Sequence, residues 1–166
     1  HDLYQNAKTS NKINYVINKI LGSPKSFIIY SQFNNCLNYL EKILTAKKIS
    51  VELINGSKSR VQRKKAIEKF QNNQVKVFLL STKTSSVGLT LTSSYHMIFM
   101  EPILDEQIYN QAIGRIYRIG QINNVTIETL YSKGTVENIK NIQNYKNMVT
   151  NKNAKTCRQI KMNYLI

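Results

Sequence analysis

The chain is punctuated by short, nearly unbroken runs of β-forming residues, at Ser26-Phe-Ile-Ile-Tyr-Ser31, Ile49–Ile54, Val75–Leu80, His96–Met100 and Val125–Tyr131. A strand with one wet face alternates polar and apolar residues, whereas continuous runs suit strands covered on both faces. Between the runs lie segments with a helical period. Ile13, Val16, Ile17, Ile20 and Leu21 share one face behind Ser10, a candidate cap, and Gly22-Ser-Pro24 stops that helix. Leu37, Leu40, Ile43 and Leu44 mark a second helix, and Ala66, Ile67 and Phe70 line a basic third over about Ser59–Gln71. A fourth runs from Asp105 to Arg118 with Ile108, Ala112, Ile116 and Ile119 on its apolar side, and Thr135 caps a last one reaching about Val149. Ser85 to Leu91 reads as a loop and short helix. Buried strands alternating with helices predict a parallel sheet between two helical layers, a three-layer α/β domain whose ligands sit at the carboxyl ends of the strands.

The 166 residues make one domain of ordinary size. Residues 1–9 are expected to be a linker, 10–149 the domain and 150–166 a polar tail without pattern. No apolar run approaches the roughly 20 residues that span a bilayer, and residues 1–20 lack the apolar block of a secretory signal. Cys36 and Cys157 are too few for a disulfide scaffold and too far apart for a metal knuckle, which favours a reducing, intracellular setting and no protein-held metal. His96, which follows a polar loop and opens a strand, is read as structural.

A formal charge of +15 fits a polyanionic partner such as nucleic acid. It also fits an AT-rich coding bias, since 19 Lys stand against 5 Arg beside 20 Asn and 21 Ile. The arginines resist that bias, and four of them fall in two pairs, Arg60 with Arg63 and Arg115 with Arg118. Arginines three apart on a helix can fork onto one phosphoryl group, or can answer Glu101, Asp105 or Glu106.

Gln111-Ala-Ile-Gly-Arg115-Ile-Tyr-Arg118-Ile-Gly120-Gln121 resembles motif VI of the superfamily 2 helicases, in the form typical of SWI/SNF-type remodelling ATPases, at all six fixed positions. The resemblance implies that Arg115 and Arg118 are arginine fingers on the γ-phosphate of ATP, with Arg118 leading, and that Gln111 and Gly88 help hold the nucleotide. Such a finger contributes roughly 10³–10⁵ in rate.

Other segments resemble the family in the same order along the chain. Lys25 to Phe33 is similar to motif IV, whose Ser31 and Gln32 would face nucleic acid. Gly56 and Ser57, followed by Gln62-Arg63, resemble the family's Gly-Ser turn, implied to hold a backbone phosphate at a helix N-terminus. Taken alone, that turn is any strand-to-helix turn, and Arg60, Arg63, Lys64, Lys65 and Lys69 a solvated face. Leu80 to Leu91 resembles motif V, implying nucleic-acid contacts from Ser81, Thr82 and Lys83. There the family has two glycines where Ser85 and Ser86 stand, and Asn where Thr90 stands; side chains at the glycine positions let the backbone approach a phosphate less freely. Glu101-Pro102 is similar to the branch containing ring-finger ubiquitin ligases of DNA-damage tolerance, and Lys133 to Glu137 to the start of the family's closing helix.

The resemblance thus implies a RecA-like C-terminal lobe. No P-loop is present: Gly22-Ser-Pro-Lys25-Ser26 precedes a strand where a P-loop follows one, and Asp105-Glu106-Gln107 opens a helix instead of forming an acidic box. ATP and Mg²⁺ are therefore expected to be held mainly by a first lobe outside this chain, which on its own should hydrolyse no ATP. The implied whole is a nuclear DNA-dependent ATPase that translocates on double-stranded DNA, possible nucleosomes included, in chromatin remodelling or DNA repair. Two alternatives remain open: a lobe of a strand-separating DNA or RNA helicase, or a degenerate lobe that only binds nucleic acid.

Overall fold

The computed structural model describes residues 10–81, 89–132, 134, 135, 137 and the strand 159–165. Helix α1 (Asn11–Leu21) buries Ile13, Val16, Ile17 and Ile20, the stripe its period predicts. Ser10 stands at its N-cap but makes no side-chain cap bond, while the Gly22 N–H closes the other end on the Asn18 carbonyl. Strand β1 (Phe27–Ser31) follows, then α2 (Asn34–Ala46), β2 (Val51–Ile54), α3 (Arg60–Gln71), β3 (Val77–Ser81), β4 (His96–Phe99), α4 (Glu106–Ile116), β5 (Thr126–Ser132) and β6 (Gln159–Leu165).

The six strands form one sheet in the order β2-β3-β1-β4-β5-β6, and every pairing is parallel. Side chains that alternate along each strand feed two separate cores. Phe27, Ile29, Val77, Leu79, Ile98 and Met100 point to the face covered by α1 and α2. Ile28, Tyr30, Phe78, Leu80, Met97 and Phe99 point to the face covered by α3 and α4. All five residues of β1 and of β3 are buried, which explains why those strands hold no charged residue and no polar–apolar alternation before their closing serines. This is the expected three-layer α/β, RecA-like domain.

Some local expectations need correction. Residues 159–165, assigned from the sequence to a patternless tail, form strand β6 beside β5. Helix α4 ends at Ile116, so Arg118 and Ile119 lie beyond it. Ile119, expected on the apolar side of the helix, is fully exposed at 101%. Leu89 and Leu91 are buried without helical structure, and the remainder of that segment, 85–88, lies outside the described residues, as does the closing helix expected after Thr135 apart from Glu137.

Candidate functional site

The predicted residues fall into two groups on the lobe. The first lies where β1, β2 and β3 end. Ser31 is completely buried, and its hydroxyl donates to both carboxylate oxygens of Glu101, at 3.1 and 3.0 Å. The Gln32 N–H donates to the same carboxylate, and the Phe33 N–H donates to Ser31 Oγ. The expectation that the Ser31 side chain faces nucleic acid is therefore corrected: it fastens β1 to Glu101, two residues past the end of β4, leaving Gln32 and Phe33 exposed in this turn.

Burial pushes the Glu101 carboxyl above its usual range, outweighing the opposing Gln32 N–H, Ser31 hydroxyl and Lys12 charge, with Glu137 adding to the rise. Lys12 in turn donates to the Met100 carbonyl and to Glu137, whose carboxylate also accepts the Ser132 N–H. Helix α1 is thereby tied to the ends of β4 and β5.

After β2, Asn55 Oδ1 accepts from the Ser57 N–H at 3.2 Å and the Ser57 hydroxyl at 2.6 Å, folding Gly56 and Ser57 into an exposed turn. Ser59 then caps α3 through a reciprocal capping box with Gln62. Arg63 reaches back to the Lys58 carbonyl at 2.8 Å and the Gly56 carbonyl at 3.5 Å. Ser81 is buried at the end of β3. Thr82, Lys83, Ser85, Ser86 and Gly88 lie outside the described residues.

The second group gathers around the end of α4, on the face that α3 shares. Asp105 caps this helix by accepting from the Gln107 and Ile108 N–H groups, the helix-opening role predicted for that acid. Tyr117 breaks the helix, and Arg118 lies in the following turn, which Gly120 completes at φ +101°. The arginines were expected to share one helical face. Arg115 instead projects from the last helical turn, half-buried, whereas Arg118 stands exposed outside the helix. Arg118 Nη1 donates to Thr90 Oγ1 at 2.9 Å. Burial, and then the charge of Arg118, lower the Arg115 pKa against an opposing contribution from Tyr30. Both effects work against the cation, and a phosphate oxygen at this place would relieve them. Gln111, one turn before Arg115, is exposed.

This group is not at the carboxyl ends of the strands. Gln121 Nε2 donates to the Thr92 and Ser94 carbonyls at 3.1 and 2.8 Å, and Ser94 stands just before β4 begins. Gln71, the last residue of α3, donates to the Thr90 carbonyl at 2.5 Å and accepts from the Ser93 N–H at 3.1 Å. The Leu91 N–H donates to the Arg115 carbonyl at 2.8 Å. Residues 90–94 are thus bound to the ends of both helices. Gln71 gave no functional signal in the sequence, and the Glu101-Pro102 resemblance did not point to Ser31, because the partners of both side chains lie 19 or more positions away.

The described residues contain no group of three or more His, Cys, Asp or Glu placed to hold a metal, and no helix long and apolar enough to cross a membrane.

Comparison with known proteins gives a consistent answer. The helicase conserved C-terminal domain matches residues 11–120. The DNA repair protein rad8 of Schizosaccharomyces pombe is 32% identical over 154 residues, covering 89% of this chain and 14% of its own length. The DNA excision repair protein ERCC-6-like of Bos taurus is 35% identical over 74% of this chain and 10% of its own length. The chromatin-remodeling ATPase INO80 of Homo sapiens is 33% identical, covering 74% of this chain and 8% of its own length. The chain therefore spans about a seventh or less of these relatives. Among solved structures, the C-terminal part of the Fun30 ATPase domain superposes with a TM-score of 0.72 at 28% identity, covering 78% of this chain and 43% of that one.

Proposed function

From the premise that this chain belongs to the helicase conserved C-terminal domain family, as a RecA-like lobe of SWI/SNF type, we propose that it is the second motor lobe of a nuclear, ATP-dependent translocase on double-stranded DNA that serves DNA repair or chromatin remodelling. The observation that carries this reading is the arginine pair. Arg115 is half-buried at the end of α4, and Arg118 is held beside it by Thr90, two forked donors on neighbouring turns of chain. Such a pair suits the γ-phosphate of a nucleotide presented by a first lobe.

In this reading ATP and Mg²⁺ are held mainly by that first lobe. The bound metal-nucleotide supplies the phosphoryl group and the charge that develops on it. Arg115 and Arg118 donate to its oxygens when the lobes close, Gln111 approaches from the preceding helical turn, and Gly88 lets the motif V backbone come near. Gln32, Gly56 and Ser57, at the carboxyl ends of the strands, meet the DNA backbone, and the same role is proposed for Thr82 and Lys83 from the motif V resemblance. Ser31 and Ser81 anchor that surface from within. The interaction is with phosphates, so it carries affinity and step register in preference to sequence readout. Nucleosomal DNA is a substrate of the same chemistry.

The test uses the complete two-lobe protein. Wild type should hydrolyse ATP with DNA stimulation, Arg118→Ala should abolish that activity, and the chain alone should hydrolyse none. Stimulated hydrolysis retained in Arg118→Ala would remove the arginine-finger role. Duplex unwinding without translocation would assign the lobe to a strand-separating helicase instead.

A further inference from the structure

Helix α3 joins the two candidate sites directly. Its first turn carries Arg63, which grips the Gly56 and Lys58 carbonyls, and its Ser59 cap fixes where the Gly56-Ser57 turn enters the helix. Its last residue is Gln71. The 12 residues between these ends make a rod about 18 Å long, anchored in the core by Ala66 and Phe70.

At the far end the Gln71 amide uses both of its functions on one segment. Nε2 donates to the Thr90 carbonyl and Oε1 accepts the Ser93 N–H. Thr90 is the residue whose hydroxyl receives Arg118. The next residue, Leu91, is bonded to the Arg115 carbonyl and completely buried. A displacement of α3 along its axis is therefore delivered to Thr90 and on to Arg118 without passing through residues 82–88.

We propose that Gln71 is a positioning residue for ATP hydrolysis, transmitting the state of the nucleic-acid turn at Gly56-Ser57 along α3 to Thr90 and Arg118. The inference rests on the function proposed above for those two sites. Gln71 acts through its bonds to Thr90 and Ser93. It sets where Thr90 stands, and Thr90 sets where the Arg118 guanidinium points. Coupling of this kind needs only a rigid element with hydrogen-bonded ends, and the small shifts involved suffice because catalytic geometry is steep in distance.

The experiment measures DNA-stimulated ATP hydrolysis and DNA binding by the complete two-lobe protein with Gln71→Ala, Gln71→Glu and Thr90→Val. Gln71→Glu keeps the length of the side chain and the acceptor for Ser93 but cannot donate to the Thr90 carbonyl. Expected is a fall of about tenfold in the stimulated kcat for each variant, with the DNA concentration for half-maximal stimulation unchanged. Combining Gln71→Ala with Thr90→Val should lower kcat no further than either alone, because both changes act on Arg118 through one link.

A wild-type kcat in Gln71→Glu would overturn the proposal. So would losses that multiply in the double variant, or a fall in DNA affinity and melting temperature that accounts for the fall in rate. If wild type shows no DNA-stimulated hydrolysis, or Arg118→Ala retains it, the functional reading fails instead, and the two failures are told apart by those controls.

Discussion

Two carboxylates of this lobe respond to their surroundings in opposite directions. Glu52 is pushed up by partial burial, but hydrogen bonds from Lys69 and Lys58 and the charges of both outweigh that, so its pKa lies below the ordinary glutamate range. Its ionised form stabilises the fold above the unfolded pKa, and that contribution is lost as pH falls through the folded value. Glu101 is raised, mainly by burial, so its contribution is present below the unfolded pKa and is lost as pH rises through the folded one. Denaturant midpoints measured from about pH 3 to about pH 7 should therefore separate them. Glu52→Gln removes part of the loss of stability on acidification, whereas Glu101→Gln removes an opposing loss on raising the pH. Matching slopes in the two variants would contradict the assignment. At this scale the sequence was informative for identity and blind to environment. Ser31 was expected to be a contact residue because its segment resembles motif IV, and only the Glu101 carboxylate that its hydroxyl reaches shows that the side chain turns inward.

At the scale of elements, helix starts were better defined than helix ends. Ser59 with Gln62, and Asp105 ahead of Gln107 and Ile108, satisfy the free N–H groups of α3 and α4 through side chains close in sequence, so short patterns suffice to place them. Ser59→Ala should cost about 1 kcal/mol and lower the melting temperature, with the greatest loss of amide protection in the first turn of α3. Unchanged protection there would show that the Arg63 bonds alone hold the turn. The end of α4 was less legible. Its apolar period continues through Ile116 to Ile119, but the Leu91 N–H occupies the Arg115 carbonyl and Tyr117 leaves helical geometry. An irregular segment distant in sequence, ahead of β4, ends the helix, and this releases Arg118 to reach Thr90.

For the whole molecule, the decisive feature is a sheet whose centre is paired on both sides. β1 lies between β3 and β4, and its side chains are completely or almost completely buried on both faces, whereas β2 forms one edge. Native-state hydrogen exchange should be slowest at Ile28, Ile29 and Tyr30 and markedly faster along β2. Exchange from β2 as slow as from β1 would contradict this picture of a sheet that opens from its edge. The same architecture separates the two candidate sites, because α3 and α4 each cross the sheet from the carboxyl ends of the strands towards the amino ends.

The sequence by itself determined the layering, the order of the first five strands and the helices between them, and the motif that carries Arg115 and Arg118, because each is written in residues near one another along the chain. Period two or unbroken apolar runs report burial locally, and a motif reports residue chemistry locally. Only the tertiary structure decided that Ser31 turns inward, that Arg118 leaves its helix, that residues 159–165 add a sixth strand, and that Gln71 joins α3 to Thr90. Each of these depends on a hydrogen bond or strand pairing between residues far apart in sequence, and local pattern does not specify which distant groups meet.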